Sequence, residues 1–117
     1  MALQLYALKK NFAVQKAERF FKERRVTVQF VDLKKHKMGP RELQLFARAA
    51  GGAYHLVDRE NVNTLSHPIA HTDIESVIID YLLEKPEFMR TPIVRDGQKV
   101  VIGEDLAAWQ KLLDAQK

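Results

Sequence analysis

The sequence predicts an α/β protein in which four β-strands form one mixed sheet with helices on both faces. The spacing of apolar residues changes from a period of two to a helical period and back within residues 3–32, which indicates the order strand, helix, strand. Near the end, two short apolar runs flank Asp96-Gly97, a dipeptide typical of the turn between antiparallel strands. Mainly helical spacing separates these two parts. The expected order is therefore β-α-β, a helical insertion, then β-β-α.

The N-terminal part predicts two strands joined by a helix. Residues 3–8 alternate in character, which favours a strand. Helical spacing follows over residues 13–24, with Asn11 as the candidate N-cap, and a second strand follows over residues 26–32. Since a single helix joins these strands, we expect them to be parallel, with a right-handed crossover.

The middle of the chain predicts two helices separated by polar sequence. The first begins at Pro40, a residue suited to a first helical position, and the glycine pair 51–52 ends it. The second has Thr72 as its expected N-cap, with Glu75 at the spacing of a capping box, and it continues to Lys85.

The C-terminal part predicts a β-hairpin and a closing helix. The strands at residues 93–94 and 100–102 must be antiparallel because their connection is so short. Apolar residues at helical spacing follow from Leu106. These elements fit one domain over residues 1–117, in the arrangement of thioredoxin-like folds.

Composition limits the chemistry of this chain more than it limits the fold. The 117 residues include no cysteine, which excludes disulfides, thiolate metal sites and thiol nucleophiles. The net charge of +4 comes from cations spread along the chain, so it does not indicate nucleic acid as the ligand. No apolar run approaches the roughly 18 residues of a membrane span, and no signal-peptide pattern begins the chain. We therefore expect a cytoplasmic protein with no membrane partner.

Four stretches, in the right order, resemble the ArsC/Spx family, which contains arsenate reductases and the Spx transcription regulators. The matching stretches are residues 5–11 with 15–17, 32–35 with 42–43, 51–62 in three pieces, and 91–106 in four pieces. The resemblance covers nearly the whole chain. It implies a thioredoxin-like fold with a cis peptide bond between Thr91 and Pro92.

The chain departs from the family where the chemistry takes place. The family's nucleophilic cysteine lies at the N-terminus of the first helix, where the helix amides lower the thiol pKa. Asn11 occupies the matching position, and Val14 stands where the Spx branch has a second cysteine. Since an amide is not a nucleophile, we expect no catalytic residue here and predict that Asn11 caps the helix.

The resemblance also implies a reduced anion site. Arg59 matches one of the arginines that surround the oxyanion in arsenate reductases, and Thr91 stands where another is common, beside Arg90. A third arginine has no counterpart near residues 101–103. The candidate ligand cleft consists of Lys10, Asn11, Arg59, Arg90, Thr91 and Pro92.

Metal and DNA sites have little support. His67 and His71 have the spacing of a helical metal pair, but Pro68 disfavours helical geometry at His67, so we predict no metal site. The basic residues of segment 34–41 are expected on a solvated face, and no helix resembles one that reads DNA sequence.

Two functions follow from these observations. The first is a redox-inactive, protein-binding or regulatory module without enzymatic activity or cofactor. Its partner would be a protein segment or subunit that the sequence does not identify, and the analogy with Spx gives the C-terminal domain of the RNA polymerase α-subunit as one candidate. The alternative is a glutathione- or anion-binding enzyme that uses no protein thiol, in which Asn11 stabilises the thiolate of glutathione.

Overall fold

Two parallel strands and the helix between them begin the fold in the computed structural model, which describes residues 3–8 and 11–115. Strand β1 (Leu3–Ala7) pairs in parallel with β2 (Val28–Asp32), and α1 (Phe12–Glu23) connects them. Strand β3 (Ile93–Asp96) is antiparallel to β1, and β4 (Lys99–Ile102) is antiparallel to β3. The strand order is β2-β1-β3-β4. The predicted mixed sheet, its parallel pair and its C-terminal hairpin are confirmed.

The helical insertion contains α2 (Pro40–Ala50), α3 (Ala53–Leu56), α4 (Val62–Leu65) and α5 (Glu75–Glu84). Two short 3₁₀ helices accompany them. One (Pro68–His71) lies between α4 and α5, and the other (Pro86–Phe88) follows α5. Within the insertion, α2 and α5 contact each other and both contact α3. None of the helices in the described ranges is long and apolar enough to cross a bilayer.

The chain divides into two compact units, Met1–Asp32 with Thr91–Lys117, and Leu33–Arg90. The first unit holds the sheet, α1 and the closing helix α6 (Leu106–Asp114). In its core, the apolar faces of both helices pack against the strands. The Trp109 side chain is fully buried there, with its ring centroid 5.5 Å from that of Phe20 and 6.0 Å from that of Phe21. A single domain over residues 1–117 stays a prediction.

The expected capping box at the start of α5 is wrong. Ile74, not Thr72, is the N-cap residue, and the Thr72 hydroxyl accepts the Ile74 N–H in a local turn at 3.2 Å. The Glu75 carboxylate instead accepts the Ala53 N–H, at 3.0 and 3.1 Å from its two oxygens. Because this carboxylate caps α3, it is not available to cap its own helix.

Candidate functional site

Asn11 is the N-cap of α1, as predicted. Its side-chain oxygen accepts the Val14 N–H at 2.8 Å, and its carbonyl accepts the first helical bond, from Gln15, at 2.9 Å. The backbone is extended, with φ −112°, as an N-cap requires. The position at which the resemblance places a thiolate is therefore occupied by a neutral amide that satisfies a helix N–H group.

The peptide bond between Thr91 and Pro92 is cis, as the resemblance implies. Pro92 is buried at the start of β3, and its carbonyl accepts the Gly103 N–H at 2.8 Å. Asn11, Thr91 and Pro92 belong to the first unit.

Arg59 and Arg90 both donate to main-chain carbonyls near the end of α3. The Arg59 guanidinium donates to the carbonyls of Ala70, at 3.2 Å, and Tyr54, at 3.4 Å, and it stacks on the Tyr54 ring at 3.7 Å. The Arg90 guanidinium donates to the His55 carbonyl at 3.0 Å. Cations at the carbonyl end of a helix are electrostatically favourable, so both arginines stabilise the second unit locally.

The six-residue ligand cleft stays a prediction. Its two arginines lie in the second unit, where they converge on one short helix, and three of its other members lie in the first. Lys10 lies outside the described residues.

The two histidines singled out by their spacing make different local contacts. The His67 side chain accepts the Ile69 N–H at 3.1 Å, which caps a 3₁₀ helix, and its ring packs on Tyr81 and Phe88 at 5.1 and 4.7 Å. The His71 ring lies 3.2 Å from the Leu65 carbonyl. His67 therefore stands before the helical turn rather than inside it, as the adjacent proline led us to expect.

A groove beside β2 is a feature that the sequence analysis missed. This β2 groove has a volume of about 500 Å³ and lies wholly in the first unit, between α1, β2 and the turn that joins them. Its lining comprises Leu5, Glu18, Arg19, Lys22, Arg25, Val26, Thr27, Val28 and Phe30. The sequence carries no local signal for this groove, because it depends on the direction in which the chain leaves α1.

Comparison with protein-family models gave no match, and comparison with curated protein sequences gave none either. Solved structures do match. An ArsC family related protein from Bacteroides fragilis has 18% identity and a TM-score of 0.79, with 96% of this chain and 99% of that chain covered. An arsenate reductase (ArsC) related protein from Brucella melitensis has 17% identity and a TM-score of 0.73, with 97% and 95% covered. Arsenate reductase from Vibrio cholerae has 12% identity and a TM-score of 0.79, with 97% of each chain covered.

These neighbours show the fold. The chain is an α/β protein with the ArsC-like, thioredoxin-like architecture over nearly its whole length, as the resemblance implies. It has that architecture without any cysteine.

Proposed function

We propose that this chain, an ArsC-like fold without a cysteine, is a redox-inactive protein-binding module. The bond between the Asn11 side-chain oxygen and the Val14 N–H carries the redox-inactive part of the proposal. A helix N-terminus favours a thiolate through its free N–H groups and its positive end. Here one of those N–H groups is satisfied by a neutral side chain, and the chain has no thiol that could attack a substrate.

An exposed aromatic side chain beside this cap supports a protein ligand. Phe12, the first residue of α1, leaves 88% of its surface accessible. A partner that covers this side chain would remove apolar surface from water, which is favourable.

The arginine contacts support binding over oxyanion chemistry. Arg59 and Arg90 donate to carbonyl groups of the second unit, and an oxyanion would have to compete with those bonds. An arginine that reorients toward a substrate would leave main-chain carbonyls without these donors.

Two assays on the purified protein test redox inactivity. Arsenate or disulfide reduction, with glutathione or thioredoxin supplying electrons, should not exceed the buffer blank. Turnover that Asn11→Ala abolishes and Asn61→Ala retains would contradict the proposal. Asn61 is a matched control because it also caps a helix through its side chain.

Titration of isotope-labelled protein separates the proposal from the glutathione-dependent alternative. We expect sulfate, phosphate and glutathione to shift the same amide signals weakly and alike, as a generic positive surface would. Shifts around Asn11 and Thr91 that only glutathione produces would favour the enzyme.

The first partner to test, by analogy with the Spx branch and a cytoplasmic location, is the C-terminal domain of the RNA polymerase α-subunit. If it binds at the start of α1, Phe12→Ser should weaken the complex. Leu106→Ser, at the exposed first position of α6, should leave it unchanged.

A further inference from the structure

We propose that the outer edge of β2, together with the β2 groove, binds an acidic extended segment of a partner protein, which adds to the sheet as a fifth strand. The inference rests on the proposed function only for the class of ligand, a protein. The proposed location of the binding site and the chemistry of its ligand are argued from β2, α1 and the turn between them.

The main chain of β2 is open along its outer edge. Within the described part of the chain, β2 pairs with β1 alone. The Leu3 N–H donates to the Thr27 carbonyl, and Leu3 lies opposite Val28. In a parallel ladder with this register, the N–H and C=O groups of Val28 and Phe30 point away from β1. A new strand can therefore bond to these two residues without displacing any bond of the sheet.

The side chains of Val28 and Phe30 form an apolar floor beside that edge. Val28 packs against the core of the first unit, Phe30 is 43% exposed, and Leu5 lies opposite Phe30 in the ladder. All three line the groove on the face that α1 covers. Since side chains alternate along a strand, an added strand would place every second residue over this floor. Those residues should be apolar.

Three cationic side chains border the same floor. Arg19 and Lys22 lie on α1, and Arg25 follows its end, each three residues from the next. All three are exposed, and Glu18 is the one carboxylate in the lining. Arg19 and Lys22 are one turn apart on α1, where like charges repel, and Arg25 adds a third positive charge to the same lining. Acidic side chains of a ligand would relieve that repulsion. The acidic residues of the ligand should therefore lie on the same face as its apolar ones, two positions along the strand, where they pass the floor and reach the cations.

Arg25 occupies a backbone position that favours glycine. Its φ is +57°, in the left-handed region. Its N–H donates to the Lys22 carbonyl at 3.0 Å, and the Val26 N–H donates to the Phe21 carbonyl at 2.9 Å, which together form a Schellman motif. Glycine would end the helix with less strain. The turn does not require the guanidinium, whereas an acidic ligand in the groove would use it.

Other occupants fit this surface less well. A second copy pairing through β2 would bring the same three cations, Arg19, Lys22 and Arg25, into one seam, where they repel. A nucleic acid would satisfy the cations but has no groups that continue the main-chain ladder. An acidic strand meets both requirements.

Amide hydrogen exchange on the full chain is the direct test. The probe is a capped synthetic peptide of about nine residues, within the usual strand length, whose groove-facing positions carry Val in the centre and Glu on either side, with Thr at the positions between. We expect it to slow exchange of the Val28 and Phe30 amide protons about tenfold or more. The Gln29 and Val31 amides, which bond to β1, should not change. Methylating the peptide nitrogens on the edge that faces β2 should abolish binding, and methylating those on the other edge should not.

Charge reversal tests the cationic border. Arg25→Glu should weaken binding of the peptide about tenfold. Raising the salt concentration from about 50 to 300 mM should also weaken binding to the unchanged protein. Lys111→Glu makes the same change of charge at an exposed position of α6 and should retain full affinity. Circular dichroism of each variant confirms that it is folded.

Three results would overturn the inference. They are unchanged exchange at Val28 and Phe30, tighter binding of a single-stranded oligonucleotide at the same residues, and a dimer in sedimentation that Phe30→Glu dissociates. If the peptide instead shifts Asn11 and Phe12, the location proposed here is wrong while the protein-binding function stands. Catalytic turnover with glutathione or thioredoxin would contradict the proposed redox-inactive function, but it would leave the expected exchange result at β2 unchanged.

Discussion

The Glu75 carboxylate holds the Ala53 N–H with both of its oxygens, so the first residue of α5 caps the start of α3 across 22 residues of chain. Ala53 is fully buried, and the bond ties the two helices together within the second unit.

Removing this carboxylate should destabilise the second unit. We expect Glu75→Ala to lower the free energy of unfolding by about 1–3 kcal/mol, because the Ala53 N–H loses its acceptor. Glu75→Gln keeps an acceptor oxygen and should lose less. Urea denaturation followed by circular dichroism measures the difference. Glu84→Ala, at the exposed end of the same helix, is the control and should change stability by less than about 0.5 kcal/mol.

A cysteine placed at Asn11 should gain the electrostatic environment that the fold offers to a thiolate. We expect the Asn11→Cys thiol to have a pKa below its ordinary value of about 8.5, because the helix N–H groups stabilise the anion. Ultraviolet absorbance of the thiolate during a pH titration measures it. Gln15→Cys, exposed one turn further along α1, should titrate nearer the ordinary value. Equal pKa values at the two positions would show that the helix start has lost this property.

Replacing Arg25 with glycine should change the stability of the fold and its affinity for the peptide in opposite directions. Arg25→Gly should raise the free energy of unfolding by up to about 1 kcal/mol, because glycine adopts the left-handed conformation without strain. The same variant should bind the acidic peptide more weakly. Arg25→Ala removes the charge and keeps the strain, so it should lose affinity without gaining stability. Urea denaturation and peptide titration on the two variants give both quantities.

Trp109→Ala should strongly destabilise the first unit. Its side chain is fully buried against Phe20 and Phe21, and a large-to-small change at such a site costs about 3–5 kcal/mol. Leu106→Ala on the same helix removes a side chain that is 53% exposed and should cost far less. Thermal unfolding followed by circular dichroism distinguishes the two; similar losses would contradict the assigned core.

Local patterns predicted the elements whose partners are near in sequence. The period change around α1, the cap at Asn11 and the Asp96-Gly97 hairpin depend on neighbours a few residues away, and each is confirmed. The capping box failed because the partner of Glu75 is 22 residues distant. The carbonyl that Arg90 donates to is 35 residues away, and no periodicity encodes such a bond. The β2 groove was missed because it depends on the direction of a helix end, which composition does not reveal.

The position of β1 between β2 and β3 has a consequence for synthesis on the ribosome. β2 is made directly after α1, but β3 and Trp109 follow only after the whole of Leu33–Arg90. At about 5–20 residues per second, the apolar face of α1 and one edge of β1 wait roughly 4–16 s for their partners. We therefore expect nascent chains of intermediate length to engage chaperones that hold exposed apolar segments. A chain that ends before Trp109 lacks a large side chain of the core of the first unit, so we expect that unit not to fold.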